Sequence, residues 1–183
     1  PSGFTGGRII RPSDGHEPHR IAFVQCVGSR DSARGMGYCS SVCCMHTDKH
    51  IVWAKEKEPN LEAVVFGLDI RACGKGFEEY HERVATLPGV RYMRSMVSAV
   101  EEVAETRNLR IRYVDEEGGL QEKEFGLVVL AVGLRPSAEF QALAERLGLE
   151  LNEYGFVSTS EFSPVKTSRP GILIAGSARE PAD

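Results

Sequence analysis

The sequence predicts an α/β fold: a parallel sheet with helical crossovers, interrupted by a three-stranded antiparallel meander. Three observations predict it. Short apolar runs at 21–25, 61–66 and 90–93 alternate with segments of helical periodicity, the pattern of parallel strands joined by right-handed crossovers. Three further short runs, at 97–103, 109–114 and 120–125, follow with turn residues and no helix between them. The chain of 183 residues is 42% apolar and 26% charged, an ordinary globular mix that excludes disordered, collagen-like and disulfide-dense chains.

Residues 1–20 are rich in Gly, Pro and charge and read as loop. Ile21–Gln25 reads as a buried strand that stops at Cys26-Val27-Gly28, and polar, Gly-rich residues follow to about 41. Ser40 or Ser41 is placed to cap a helix running to about Glu58, where Pro59 stops it. The second strand is Leu61–Phe66. Phe77, Tyr80, Val84 and Leu87 recur at helical spacing after Gly76, and Pro88-Gly89 ends that helix before a third strand at Val90–Met93.

In the meander, Arg107-Asn108 and Glu117-Gly118-Gly119 are the turns. Leu109, Ile111 and Tyr113 alternate with Arg110 and Arg112, which leaves one face wet. Leu127–Ala131 reads as a fully buried strand. Ser137 starts a short helix with Phe140, Leu143, Ala144 and Leu147 on one face, closed by Gly148. Tyr154–Ser158 and Ile172–Ala175 read as two last strands.

Charge and hydropathy narrow the function. Lys plus Arg number 22 against 26 Asp plus Glu, a net charge of −4. That argues against a nucleic-acid binder, which needs a basic surplus or stripe. The run 127–134 is too short to span a bilayer, so no direct membrane insertion is expected. The opening lacks an initiator Met and a signal peptide. The expectation is a piece of a longer protein.

Cysteine usage carries the chemistry. Of five cysteines, Cys26, Cys39, Cys43 and Cys44 cluster, and Cys73 stands apart as a structural candidate. An odd, clustered set does not read as a secreted disulfide framework; a reducing compartment with a metal or redox site fits better. Cys26 ends the first strand, where α/β sheets present ligand groups. Cys39, Cys43 and Cys44 form C-x-x-x-C-C around a helix start, so their thiols point in different directions. A cubane iron–sulfur cluster takes four thiolates at separate iron corners. A helix N-terminus, with Arg30, Arg34, His46 and Lys49 nearby in sequence, offsets its negative charge. Zinc also takes four cysteines, but structural zinc sites favour paired C-x-x-C knuckles, and none exists here. A Cys43–Cys44 disulfide and a set of buried thiols remain as further readings.

The first strand is not followed by G-x-G-x-x-G; the place reads Cys26-Val27-Gly28-Ser29-Arg30-Asp31. One glycine does not supply the turn, the pyrophosphate approach and the helix packing together, which argues against nicotinamide-cofactor binding there. His46 and His50, with Asp48 between them, offer a weaker metal face on the first helix; a solvated surface is the simpler reading. Trp53 reads as a packing residue, and Glu78, Glu79 and Glu82 as a charged helix face. No G-x-S-x-G motif supports acyl transfer.

An α/β unit interrupted by a meander and followed by an Ala-x-Gly-x-x-Pro turn, here Ala131–Pro136, is similar to the pyridine-nucleotide domain of two-domain flavoproteins. Arg11–Gly15, Arg20–Asp31 and Tyr38-Cys-Ser-Ser-Val-Cys-Cys-Met45 resemble the A-type subunits of heterodisulfide reductases and the related subunits of quinone-interacting membrane-bound oxidoreductases. Asp69–Gly76, Val128–Ser137 and Tyr154-Gly155-Phe156 match the same family, so the resemblance covers nearly the whole chain, and Thr167–Gly176 resembles the segment returning to an FAD domain.

The resemblance implies a thioredoxin-reductase-like, Rossmann-like domain at 21–136 with the meander at about 97–125. Residues 1–20 would be a linker from an FAD-domain half, and 137–183 a segment returning toward that domain. It implies a [4Fe-4S] cluster on Cys26, Cys39, Cys43 and Cys44, and FAD in the full-length protein, with Gly133, Gly171 and Gly176 as cofactor-binding candidates. It also implies an electron-transfer role in an oxidoreductase, other cluster-bearing subunits as partners, and a cytoplasmic location or one at the cytoplasmic side of a membrane complex. The chain alone is not expected to be catalytically competent. Ser177 stands where many flavoproteins carry an Asp, and Cys73 where an aromatic residue is expected. The alternative is a zinc-stabilised or partner-docking α/β domain without redox chemistry.

Overall fold

A computed structural model describes residues 3–181. Pro1-Ser2 and Ala182-Asp183, the outer ends of the linker and return-segment readings, lie outside the described residues. The chain forms two compact units: the first holds the chain up to Val27 and Cys43–Ala131, the second Gly28–Val42 and the chain from Val132 on.

The first unit is built on strands β1 (Arg20–Val27), β2 (Glu62–Gly67), β3 (Val90–Arg94) and β7 (Leu127–Val132), in sheet order β3-β2-β1-β7. β1 pairs in parallel with β2, and β2 with β3. Helices α1 (Cys43–Lys57) and α2 (Phe77–Ala85) make the crossovers.

Both faces of the sheet are covered, and the period of two along each strand shows how. Ile21 and Phe23 of β1 and Ala63 and Val65 of β2 pack with Ile51 and Ala54 of α1 and Val84 of α2. The alternate residues Ala22, Val64 and Phe66 pack with Ile111 and Phe125 of the meander. Phe66 is the centre of that second core, with its ring 4.9 Å from Tyr113 and 5.9 Å from Phe125. The meander is β4 (Val97–Glu102), β5 (Leu109–Val114) and β6 (Leu120–Phe125), antiparallel throughout. Arg110 and Arg112 of β5 lie opposite Glu124 and Glu122 of β6 and pair with them at 3.2 and 2.8 Å, the wet face the alternation predicts.

Three expectations need correction. β7 is not fully buried: it is the end strand of its sheet, so Leu130 and Val132 are 53% and 63% exposed. Neither Ser40 nor Ser41 caps α1, which begins at Cys43: the Ser40 hydroxyl is spent elsewhere, accepting the Leu134 N–H at 2.9 Å. Tyr154–Ser158 and Ile172–Ala175 are not strands. They form only single bridges, Leu151 with Val157 and Lys166 with Leu173, because turns take up the intervening backbone groups.

In the second unit, α3 (Ala138–Arg146) starts as expected at Ser137, whose hydroxyl accepts the Phe140 N–H at 3.2 Å. Only Ala144 of its apolar face is buried; Leu143 is half exposed.

Candidate functional site

The chain bends sharply where its chemistry lies. Among the described residues, four non-glycine residues have positive φ: Cys26 at 59°, Arg30 at 58°, Ser41 at 62° and Arg107 at 57°. Three of them fall in the stretch from Cys26 to Ser41. Backbone held in that region costs of order 1–3 kcal/mol per residue and clusters at functional sites. Cys26 lies inside β1, one residue from its end, and turns the chain out of the sheet there.

In the first unit, Cys43 and Cys44 are the first two residues of α1, where free N–H groups and the helix dipole favour negative charge. Cys44 is buried, and its Sγ accepts the Arg71 N–H at 3.5 Å. Beside Cys26, the buried Gln25 side chain donates from Nε2 to Thr47 Oγ1 at 2.6 Å. This bond ties the strand that carries Cys26 to the helix turn that carries Cys43 and Cys44. Gln25 Oε1 is buried and takes no donor among the described residues.

One turn further along α1 the fully buried Asp48 accepts the Tyr92 hydroxyl at 2.6 Å and lies 2.9 Å from His81 Nδ1. Burial raises the Asp48 carboxyl, against the lowering by Tyr92 and His81. Burial and the Asp48 carboxylate raise the Tyr92 phenol far above its usual range, so it stays a donor. This network was not read from the sequence, because its three residues come from α1, α2 and β3. It also withdraws Asp48 from the weaker His46–His50 metal face: both histidines are exposed, while Asp48 points inward.

In the second unit, Cys39 is half-buried and its Sγ accepts the Ser41 N–H at 3.4 Å. Cys39 sits in the loop before α1, which begins at Cys43. Arg34 is a solvent-facing group 3.6 Å from Asp31. Gly133 has no room for a side chain: a Cβ there would lie 2.8 Å from Ser40 Oγ and 2.9 Å from Ser29 Cβ. Gly171 and Gly176 have positive φ and open space on the Cβ side. The runs after Gly133 and Gly176 are brought together: Leu134–Ser137 and Ser177-Ala178, with Phe140 and Phe156, line a cavity of about 240 Å3.

None of the five cysteines is joined in a disulfide, and Cys73 is exposed on the loop before α2. Trp53 is 47% exposed and, instead of packing in the core, borders an apolar cavity of about 480 Å3 with Ile9, Phe23 and Val129. Among the described residues, no three His, Cys, Asp or Glu side chains form a group placed to hold a metal ion. A zinc ion draws its sulfurs to about 2.3 Å from one centre, whereas a cubane takes each sulfur on a different iron corner and so asks for a wider ring. At these thiols the described residues supply backbone N–H donors, one to Cys39 in the second unit and one to Cys44 in the first. No helix among the described residues is long and apolar enough to cross a membrane.

The comparisons with known proteins agree with this fold. Over its whole length the chain is 45% identical to the iron-sulfur A-type subunit of the CoB–CoM heterodisulfide reductase of Methanocaldococcus jannaschii. It is 42% identical over its whole length to the A-type subunit of the H(2)/formate:CoB-CoM heterodisulfide,ferredoxin reductase of Methanococcus maripaludis. The chain spans 28% of the length of each of these relatives. Among solved structures, LpdA from Mycobacterium tuberculosis superposes with a TM-score of 0.56 at 14% identity, covering 92% of this chain and 31% of that one. Bacillithiol disulfide reductase Bdr from Bacillus cereus follows at 0.51 and 12%, covering 86% and 41%. The resemblance to the A-type subunits of heterodisulfide reductases is thereby confirmed. Residues 61–182 match the family described as pyridine nucleotide-disulphide oxidoreductase, and the chain belongs to that oxidoreductase family.

Proposed function

We propose that the chain is the electron-transfer module of a heterodisulfide-reductase-like enzyme, with Cys26, Cys39, Cys43 and Cys44 as thiolate ligands of a [4Fe-4S] cluster. The observation that carries this reading is the pair of backbone N–H groups aimed at sulfur, Ser41 to Cys39 and Arg71 to Cys44. Such donors to a ligating sulfur set the potential of what it binds. The strained Cys26 and the start of α1 under Cys43 and Cys44 support it, as does the name of the Methanocaldococcus relative, which calls that protein an iron-sulfur subunit.

The cluster, when bound, supplies a one-electron acceptor and donor. The residues of the chain do the rest. Cys44 is withdrawn from water, which favours the less charged redox state. The N-terminal dipole of α1 offsets the negative charge of the thiolates. In the parent protein FAD is the neighbouring redox partner, and the cavity between Gly133 and Gly176 is the surface we assign to it. Other cluster-bearing subunits of the reductase complex are the onward partners, in the cytoplasm, where thiols stay reduced.

Anaerobic reconstitution with iron and sulfide tests the reading. A brown chain with about four irons, giving a spin-resonance signal on reduction, is expected. Cys39→Ala should lose that iron. An unchanged iron content in Cys39→Ala removes Cys39 from the ligand set. Zinc without iron in a colourless protein would establish the docking alternative instead.

A further inference from the structure

Cys39 is flanked by two anchors that grip a single residue's backbone. Before it, the Tyr38 hydroxyl donates to the Leu134 carbonyl at 2.7 Å. After it, Ser40 Oγ accepts the Leu134 N–H at 2.9 Å. Ser40 is fully buried, and its hydroxyl lies 2.8 Å from where a Cβ on Gly133 would be. The Tyr38 ring is wedged against Tyr154 at 4.7 Å and Phe156 at 5.4 Å. All these residues belong to the second unit.

This arrangement is more than a loop needs. The loop from Gly28 to Val42 already closes on itself, with Arg30 N–H bonded to the Tyr38 carbonyl and Asp31 paired with Met36. The two Leu134 bonds instead fix the one residue between them. Leu134 also opens the run Leu134–Ser137 that lines the 240 Å3 cavity, and Phe156, one of the rings against Tyr38, lines the same cavity.

We propose that Tyr38 and Ser40 are positioning residues that hold Cys39 to the Leu134 backbone, and thereby to the cavity that this residue helps to line. The proposal rests on the reading of Cys39 as a ligand. It adds that the position of Cys39 is set by hydrogen bonds to the 133–136 turn and not by α1, which starts after it.

Site-resolved alkylation of the iron-free chain, read by mass spectrometry, tests this without any cluster. Tyr38→Phe keeps the ring and removes only the hydroxyl; Ser40→Ala removes the other bond. In either variant the alkylation rate of Cys39 should rise several-fold, while Cys26 and Cys73 keep their wild-type rates as internal controls. After reconstitution with iron and sulfide, Tyr38→Phe should lose iron to a chelator about ten times faster than wild type, the scale of losses when groups that orient ligands are removed, and its reduced spin-resonance spectrum should shift. An unchanged Cys39 rate in both variants overturns the proposal. So does an equal rise at all cysteines, which would mean general loosening. Should the wild-type chain take up no iron, the cluster reading fails, and the Cys39 rates still decide the positioning claim.

Discussion

Tyr92→Phe removes one hydroxyl and leaves Asp48 Oδ1 without its 2.6 Å donor. Asp48 is fully buried, so water does not replace that donor. A hydrogen bond to a charged group contributes about 1.5–3 kcal/mol, and we take about 2 kcal/mol for this one. For a chain of this size each kcal/mol moves the midpoint by about 2–4 °C, so thermal unfolding should shift down by about 4–8 °C. The chain has one tryptophan, Trp53, on the same helix as Asp48, so its fluorescence reports the unit concerned. The penalty should also depend on pH. Burial raises the Asp48 carboxyl from 3.8, so its contribution to stability is full below that value and falls as pH rises through the folded value. The Tyr92 bond opposes that shift. Its loss therefore costs most above the folded value, where the carboxylate is charged, and least below it. In an Asp48→Ala background Tyr92→Phe should cost almost nothing. An undiminished cost in that background, or a wild-type shift under about 1 °C, would refute the assignment of the network to Asp48.

Other substitutions read other links. Thr47→Val strips the Gln25 amide of its partner and should destabilise by about 1–3 kcal/mol in urea unfolding, whereas Gln25→Leu combined with Thr47→Val should recover most of it, because both polar ends are then gone; a double variant as weak as the single one would count against the tie. Gly133→Ala drives a methyl into Ser40 and Ser29 and should cost about 1–3 kcal/mol by calorimetry, while an unchanged midpoint would mean the turn has slack. The Arg20 hydrogen bond holds the Glu62 carboxyl below its usual value of 4.5, so the stability it brings is present above that value and is lost as pH falls through the folded one. Both side chains are well exposed, so Glu62→Gln should cost under about 1 kcal/mol at neutral pH and nothing in acid; a cost that is constant with pH would show the pair contributes no charge term.

What the sequence made legible was whatever a few neighbouring residues decide. The meander was readable because Leu109, Ile111 and Tyr113 alternate with arginines and the turns carry Arg107-Asn108 and Gly118-Gly119. β1, β2 and β3 were readable as apolar runs whose odd and even residues must both be covered, as they are by α1 and α2 on one face and β5 and β6 on the other. The failures at Ser40, β7 and Asp48 share a cause: each turned on something far along the chain. Ser40 looks like a helix cap until Leu134, far downstream in the sequence, takes its hydroxyl. β7 looks like a core strand because it is as apolar as one, but position at the end of a sheet is set by topology, not by composition. Asp48 looked like part of a helix surface because His81 and Tyr92 lie on other elements. The start of α1 at Cys43 bears on the cysteine motif as well. A C-x-x-x-C-C motif read as helix would put Cys39 and Cys43 on one face. A loop frees Cys39 from that constraint and leaves its direction to hydrogen bonds, here with Ser41 and, through its neighbours, with Leu134. A ligand set that must approach a cubane from four sides is served better by one residue off the helix than by three on it.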